Sequence, residues 1–394
     1  MISPPRIMLS TLTTSRPAIG GFPQRRPSVP SPLLFTPGPV MLDADTRDEG
    51  SRQMVYHRTP EFSRRVLRCE QLLKEACRAR DGDRMILLTG SGTAAMEATV
   101  LNLFAPGDRV LVVEGGDFGH RFVEIAELHG LAVTPVRLAP GQPLTALDLA
   151  AHAGRGFAGL LVNHHETSTG TLFDLDLVAR FCRAEGCLLV VDAIGSFLAD
   201  EVAMADWGID ALIVSSQKAL ALPPGLSFVA LSERAQQRVS QVPRRSYYFD
   251  FRKHLADIRR GQTPFTPAVG LVGQLERRLE KILTHGVSHQ IETVRAHAMD
   301  FRIRIHDLPF APLAESPSNA VTALAPLDGA TPDYYVRGLA EKYGIFVCPN
   351  GGALSQRIFR VGHLGHVSFA DQTRLIAALR ALADARHPQL LSVQ

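Results

Sequence analysis

Asp192 and Lys218 are placed for proton-transfer and covalent chemistry, because one ends a short apolar run and the other lies just beyond the next. Asp192 closes Val190-Val191-Asp192, a strand apolar enough to be buried, where an unpaired carboxylate is costly and calls for a cationic partner. Lys218 ends Val214-Ser215-Ser216-Gln217-Lys218, in a loop of small residues rather than on a charged helical face. Singly, neither is telling: an Asp at a strand end is commonly a cap or turn residue, and a lone Lys is commonly solvated. Upstream, Gly90-Ser91-Gly92-Thr93-Ala94-Ala95 spells G-x-G-x-x-A between a strand and a helix, and Glu114 ends the next strand about 20 residues on, which completes a dinucleotide fingerprint. Physically the motif promises a tight turn whose backbone N–H groups and helix dipole hold a phosphate. A Gly-rich turn that merely packs a helix on a strand has the same pattern.

A sheet-end Asp, a sheet-end Lys and a phosphate turn match the three points that hold pyridoxal phosphate, namely ring nitrogen, aldehyde and phosphate. Arg360, flanked by Ile358, Phe359 and Val361 and by Gly362 and Gly365, reads as a strand-end carboxylate clamp, since a planar guanidinium binds a carboxylate bidentately. Gly38 and Gly351-Gly352 would give a substrate room beside it. His164-His165-Glu166 and His363-x-x-His366 lack a third ligand at a recognised spacing, so no metal site is predicted. The mixed basic and aromatic stretch from Arg244 to Arg260 reads as a subunit-interface or substrate-entry loop rather than a nucleic-acid surface. Cys348 reads as a small buried thiol rather than a mobile nucleophile.

The elements that must position these residues alternate between short apolar runs and longer amphipathic ones, an α/β signature. Strands are expected at Met85 to Leu88, Arg109 to Glu114, Leu131 to Arg137, Gly159 to Asn163, Leu188 to Asp192, Ala211 to Ser215 and Phe228 to Leu231. Helices at Arg64 to Ala79, Ala94 to Phe104, Phe118 to His129 and Asp176 to Glu185 have the length of crossovers in a mostly parallel sheet. Beyond a helix from Val269 to Leu283 come several prolines, a strand at Ala320 to Leu324, and helices near Asp333 to Lys342 and Phe369 to Ala385. The division expected is an extension over 1–32, a large domain over 33–275 and a small C-terminal α+β domain over 276–394.

Composition limits the classes of function. The chain has 394 residues, 45% hydrophobic and 21% charged, which excludes a disordered or fibrous protein. A net charge of +3 argues against a dedicated polyanion binder, so neither nucleic acid nor an anionic membrane is an expected partner. No apolar run approaches the ~20 residues of a membrane span. Five cysteines without a CxxC pair or zinc-ligand spacing suit a reducing, cytoplasmic setting. Arginines, Ser and Thr without acids in residues 1–32 resemble a transit peptide, but seven prolines between Pro4 and Pro32 oppose an amphipathic helix. A disordered extension or an over-long start is the reading preferred.

At these residues the sequence resembles the class V aminotransferases of fold type I, in particular their alanine or serine glyoxylate/pyruvate branch. The matching stretches are Thr36-Pro37-Gly38-Pro39, Gly90-Ser91-Gly92 with Glu97-Ala98, Glu166-Thr167-Ser168-Thr169-Gly170, Val191-Asp192-Ala193, Ser216-Gln217-Lys218-Ala219 with Pro223-Pro224-Gly225, and Phe359-Arg360-Val361-Gly362 with Gly365. An NAD enzyme has no use for the Asp192 and Lys218 pair. The resemblance implies a large domain with a mostly parallel mixed sheet flanked by helices, a smaller α+β domain, pyridoxal 5'-phosphate as cofactor and a homodimer with shared sites. It implies that Lys218 forms the Schiff base and shuttles the α-proton, and that Asp192 keeps the ring nitrogen protonated. Ser91, Gly92 and Thr93 with Gln217 would hold the phosphate, Phe118 would stack on the ring, and Ser168 or Thr167 would bind its phenolic oxygen. Thr266, or its rival Thr263, would complete the neighbouring subunit's phosphate site, and Arg360 with Gly38 would receive the substrate. The activity expected is amino transfer from a small amino acid or amine to glyoxylate or pyruvate through a pyridoxamine form. A 2-aminoethylphosphonate transaminase, a lyase or desulfurase on the same fold, and a binding protein without turnover are the alternatives.

Overall fold

The computed structural model describes residues 32–386. The expected extension, apart from Pro32, lies outside the described residues, as does the C-terminal stretch from residue 387.

Seven strands form the central sheet in the order Arg84–Thr89, Leu226–Leu231, Ala211–Ser215, Leu188–Asp192, Gly159–Asn163, Arg109–Glu114, Ala132–Arg137. All run parallel except Leu226–Leu231, which is antiparallel to both neighbours. Both faces are covered, which is why the strands read as unbroken apolar runs. Period-two alternation divides their side chains between two cores. Leu87, Leu111, Val113, Leu189, Val191, Leu212 and Val214 face the helices Pro60–Ala76, Leu175–Glu185 and Val269–His285. Ile86, Leu88, Val110, Val112, Val190 and Ile213 face Gly92–Leu103 and Asp117–Leu128. Local chemistry sets the helix ends. Thr59 accepts from the Phe62 amide ahead of Pro60 at the first helical position, and Asp174 caps the helix that Gly186 ends in the left-handed conformation.

A second, antiparallel sheet follows the order Phe310–Pro312, Val321–Pro326, Phe359–Gly362, Cys348–Pro349. Helices Val287–Arg304, Pro332–Tyr343 and Phe369–Asp384 pack on it through Phe301, Tyr335, Leu339, Leu375 and Leu379. The helix Val269–His285 runs unbroken through the boundary expected at 275. Leu33–Leu34 pairs in parallel with Ile345–Phe346, and Leu33 and Phe35 are buried in the core of the C-terminal sheet. Leu33 to Phe35 are therefore built into the smaller sheet's layer, whereas Val40 and the helix Ala44–Gly50 pack with the large core and the helix Val269–His285. The path of the N-terminal segment is fixed at Gly362, which donates its amide to Phe35 O and where a Cβ would stand 2.3 Å from Thr36 O.

Candidate active site

Open parallel α/β sheets bind ligands beyond the carboxyl ends of their strands, and that is where the expected residues gather. Asp192 ends its strand 5% exposed. Its Oδ1 accepts from the Ile194 amide at 2.8 Å and its Oδ2 from Asn163 Nδ2 at 2.5 Å. Asn163 is the register partner of Asp192 on the adjacent strand, so the sheet itself delivers this bond. Burial pushes the Asp192 carboxyl up to about 6, against the pull of those two hydrogen bonds.

Lys218 lies two residues beyond Ser216, whose amide bonds Leu226 O and whose hydroxyl bonds Pro223 O, so the loop is tied to the neighbouring strand. The lysine is 9% exposed. Burial, then the charge of Arg360, brings its ammonium down to about 8, with Asp192 opposing. Gly38 sits over it at φ +143°, where a Cβ would stand 2.8 Å from Gln217 O and 2.9 Å from Lys218 Cδ. A side chain there would strike the lysine.

The phosphate turn is preserved as a binding surface. Gly92 opens the helix Gly92–Leu103, and the side chain of its N-cap, Ser91, makes no capping bond. Among the described residues no acceptor meets the amides of Gly92 or Thr93, which are free to point at an anion. Gly92 is required by space, since a Cβ would lie 2.3 Å from Ile194 Cδ1. Gln217 is half-buried beside the turn and its Oε1 accepts from Ser215 Oγ at 2.5 Å.

Phe118 is half-buried in the first turn of Asp117–Leu128. Glu166 anchors that turn: fully buried, it accepts from the amides of Phe118 at 3.3 Å and Gly119 at 2.9 Å and from Ser168 Oγ at 2.5 Å. Ser168 Oγ also accepts from the Asp117 amide at 3.0 Å, so its hydroxyl is committed inside the protein. The hydroxyl of Thr167 has no such partner among the described residues. Between the two residues named for one contact, Thr167 is the one left free.

Arg360 is 8% exposed on the strand Phe359–Gly362. It donates to Thr167 O at 3.2 Å, Pro349 O at 2.8 Å and Cys348 Sγ at 3.1 Å, while its buried Nε–H has no partner. The guanidinium is thus held in place with donor capacity to spare. Thr263 and Thr266 separate in the same way: Thr263 is buried and donates to Phe265 O at 2.7 Å, whereas Thr266 is exposed.

Arg121, which sequence reading passed over, joins the site. Its guanidinium lies 4.7 Å from the Phe118 ring centroid and donates to Thr93 Oγ1 at 3.3 Å, linking the ring platform to the phosphate turn. The basic residues near Arg244 are occupied elsewhere. Arg244 pairs with Asp250 at 2.7 Å and Arg245 caps carbonyls of His129, Leu101 and Phe104. His363 meets Thr322 Oγ1 at 2.8 Å, and no group of three His, Cys, Asp or Glu side chains that could hold a metal occurs among the described residues. No described helix is long and apolar enough to cross a membrane.

The residues present fit pyridoxal phosphate. Free amides and hydroxyls stand at one end, a buried carboxylate with lone pairs to spare at another, and a partly deprotonated lysine between them. Comparison with known proteins agrees. The model of the family described as aminotransferase class-V matches residues 45–365. The chain is 31% identical over 362 residues to the "soluble hydrogenase, small subunit" of Synechococcus sp. (strain PCC 6716), covering 89% of this chain and 92% of that one. It is 29% identical over 346 residues to the L-aspartate–glyoxylate aminotransferase of Paracoccus denitrificans (strain Pd 1222), covering 86% and 87%. Its fold matches the aspartate aminotransferase of subgroup IV from Thermus thermophilus with a TM-score of 0.83 and 35% identity, over 89% of this chain and 99% of that one. The chain belongs to the class V aminotransferases, a family of pyridoxal-phosphate enzymes.

Proposed function

We propose that this protein transfers an amino group from a small amino acid to a small 2-oxo acid, glyoxylate or pyruvate, with Lys218 as the catalytic amine. The observation that carries the reading is the convergence of Asp192, Lys218 and Arg360 beyond the carboxyl ends of the central strands, buried and close enough for each to feel the others' charge. Pyridoxal phosphate, when bound, supplies an aldehyde that condenses with amines and a protonated ring that draws electrons from the substrate's α-carbon.

The chain's own residues then divide the work. Lys218, brought down to about 8, presents a useful fraction of free amine near neutral pH, able to attack a carbonyl and then to carry the proton of the α-carbon. Asp192 faces the ring nitrogen: its two hydrogen bonds orient the carboxylate, and its raised proton affinity lets it share the proton of that nitrogen. Gly92, Thr93, Ser91 and Gln217 receive the phosphate, Phe118 covers one face of the ring, and Thr167 takes the phenolic oxygen in preference to Ser168. Arg360 holds the substrate carboxylate, so that the α-carbon lies against Lys218, and Gly38 leaves the room. Thr266, exposed on its loop, is offered to the phosphate site of a second copy, which makes a homodimer the working form, in the cytoplasm, where the five free cysteines would stay reduced. Glyoxylate as acceptor is supported by the likeness to the Paracoccus relative, an L-aspartate–glyoxylate aminotransferase.

The test is the visible absorption spectrum of the purified protein with pyridoxal phosphate, before and after alanine, serine, aspartate or 2-aminoethylphosphonate is added singly. Loss of the band with one amino acid names the donor class. No band at all would overturn the cofactor reading, and a band unchanged by every donor would overturn amino transfer.

A further inference from the structure

Beside Lys218 and Arg360 lies a buried histidine to which the preceding division of labour gives no part. His165 is 3% exposed, and neither ring nitrogen meets a hydrogen-bond partner among the described residues. A neutral imidazole carries one N–H and one lone pair, and leaving them unpaired in a dry interior is costly. Space for the ring is made by Gly195, where a Cβ would stand 2.5 Å from His165 Nδ1 and 3.0 Å from Thr167 Oγ1. Gly195 has no positive φ, so close approach alone demands glycine. Those two distances also place the imidazole Nδ1 and the unpartnered Thr167 hydroxyl around one point. The charged groups facing the ring are Lys218 and Arg360, with His164 next to it in the chain; burial and then these cations hold its proton affinity well below the ordinary histidine range. Burial and the neighbouring cations thus favour the neutral ring.

We propose that His165 is a positioning residue acting through Thr167: once the cofactor is bound, its Nδ1–H, unpartnered in this structure, turns to donate to Thr167 Oγ1 and fixes the hydroxyl so that its own proton is donated to the cofactor's phenolic oxygen. This rests on the cofactor reading above. A chain of two hydrogen bonds ending on an oxyanion is mutually strengthened, and it lowers the proton affinity of the cofactor's chromophore.

The experiment is a pH titration of the visible absorption of the cofactor-loaded protein, with the cofactor dissociation constant measured alongside, for wild type, His165→Ala, His165→Asn, Thr167→Val and the double variant His165→Ala/Thr167→Val. Loss of the relay should raise the titration midpoint by roughly 0.5–1 in pH and weaken cofactor binding about three- to tenfold. Asn carries an amide N–H near the Nδ1 position and should restore most of both. Thr167→Val should produce the same shift, and the double variant should add little to it, since the two residues act in series. A His165→Ala protein with native melting and an unmoved midpoint overturns the proposal, as does full additivity in the double variant. If wild type itself binds no pyridoxal phosphate, or borohydride fails to fix it on Lys218, the cofactor reading falls and the relay with it. A wild type that passes both checks isolates a failure to His165.

Discussion

Truncating Arg360 should strike carboxylate binding before anything else. The guanidinium is buried, oriented by Thr167 O, Pro349 O and Cys348 Sγ, and keeps Nε–H unpartnered. Removing one partner of a buried charge pair costs about 2–5 kcal/mol, which at 1.4 kcal/mol per tenfold is a fall of roughly 30- to several-thousand-fold in kcat/KM. Arg360→Ala also strips two carbonyls of their donor, a stability cost of about 1–3 kcal/mol for each left dry, so the variant should be assayed well below its melting temperature. Arg360→Lys keeps the charge but not the fork and should fall between the two. The assay is steady-state transfer from alanine, serine and aspartate to glyoxylate, with KM and kcat resolved. In both variants Lys218 should show the consequence in opposite measure: Arg360→Ala lifts a repulsion and raises its proton affinity, whereas Arg360→Lys largely keeps it. A folded Arg360→Ala enzyme with unchanged KM for every carboxylate substrate would refute the clamp and the site built around it.

Further outcomes follow from the same contacts. Asp192 binds its proton more tightly folded than unfolded, so the cofactor-free protein should lose stability as pH rises from about 3.8 through about 6, by on the order of a few kcal/mol, and Asp192→Asn should flatten that slope in melts taken across the range. Gly38→Ala should abolish most turnover while sparing the fold, because the new Cβ meets Lys218 Cδ at 2.9 Å in a backbone conformation alanine rarely adopts; near-native kcat would contradict the crowding. Cys348→Ala should keep at least about a third of wild-type amino transfer, since Arg360 retains two carbonyl acceptors; loss of activity with release of sulfide from cysteine in wild type would favour a desulfurase. Arg121→Gln should weaken cofactor binding about tenfold in equilibrium titrations, by removing a cation between Phe118 and Thr93, and unaltered affinity would take Arg121 out of the site.

Much of the site could be read in the sequence because catalytic residues at sheet ends interrupt apolar runs. Asp192 ends one strand and Lys218 stands just past another, both strands buried throughout, and the polar break is conspicuous. The α/β order was legible for the same reason, as was the mostly parallel sheet, though the antiparallel direction of Leu226–Leu231 was not. Arg121 escaped notice because three residues after Phe118 on an amphipathic helix it has the pattern of a solvated side chain; only the fold turns it back over that ring. Asn163 became visible through register, a property of two strands at once. Thr167 and Ser168, or Thr263 and Thr266, are adjacent or near repeats that no spacing separates, and only the structure shows that the hydroxyls of Ser168 and Thr263 are taken up in internal hydrogen bonds. The helix Val287–Arg304 was missed because Val287, Met299 and Ile303 blur the apolar face formed by Ile291, Val294, Ala298 and Phe301. Leu33–Leu34 and Ile345–Phe346 are two-residue strands, too short to carry a period, and their pairing spans almost the whole chain.

Amino transfer through Lys218 is tested most directly by following the nitrogen. Alanine, serine or aspartate carrying isotopically labelled nitrogen is incubated with glyoxylate, pyridoxal phosphate and either wild-type protein or Lys218→Ala, and glycine is analysed by mass spectrometry. The account predicts labelled glycine from at least one donor with wild type and only the uncatalysed background with the variant. Equal labelling by the two proteins, or none from any donor with wild type, would contradict it.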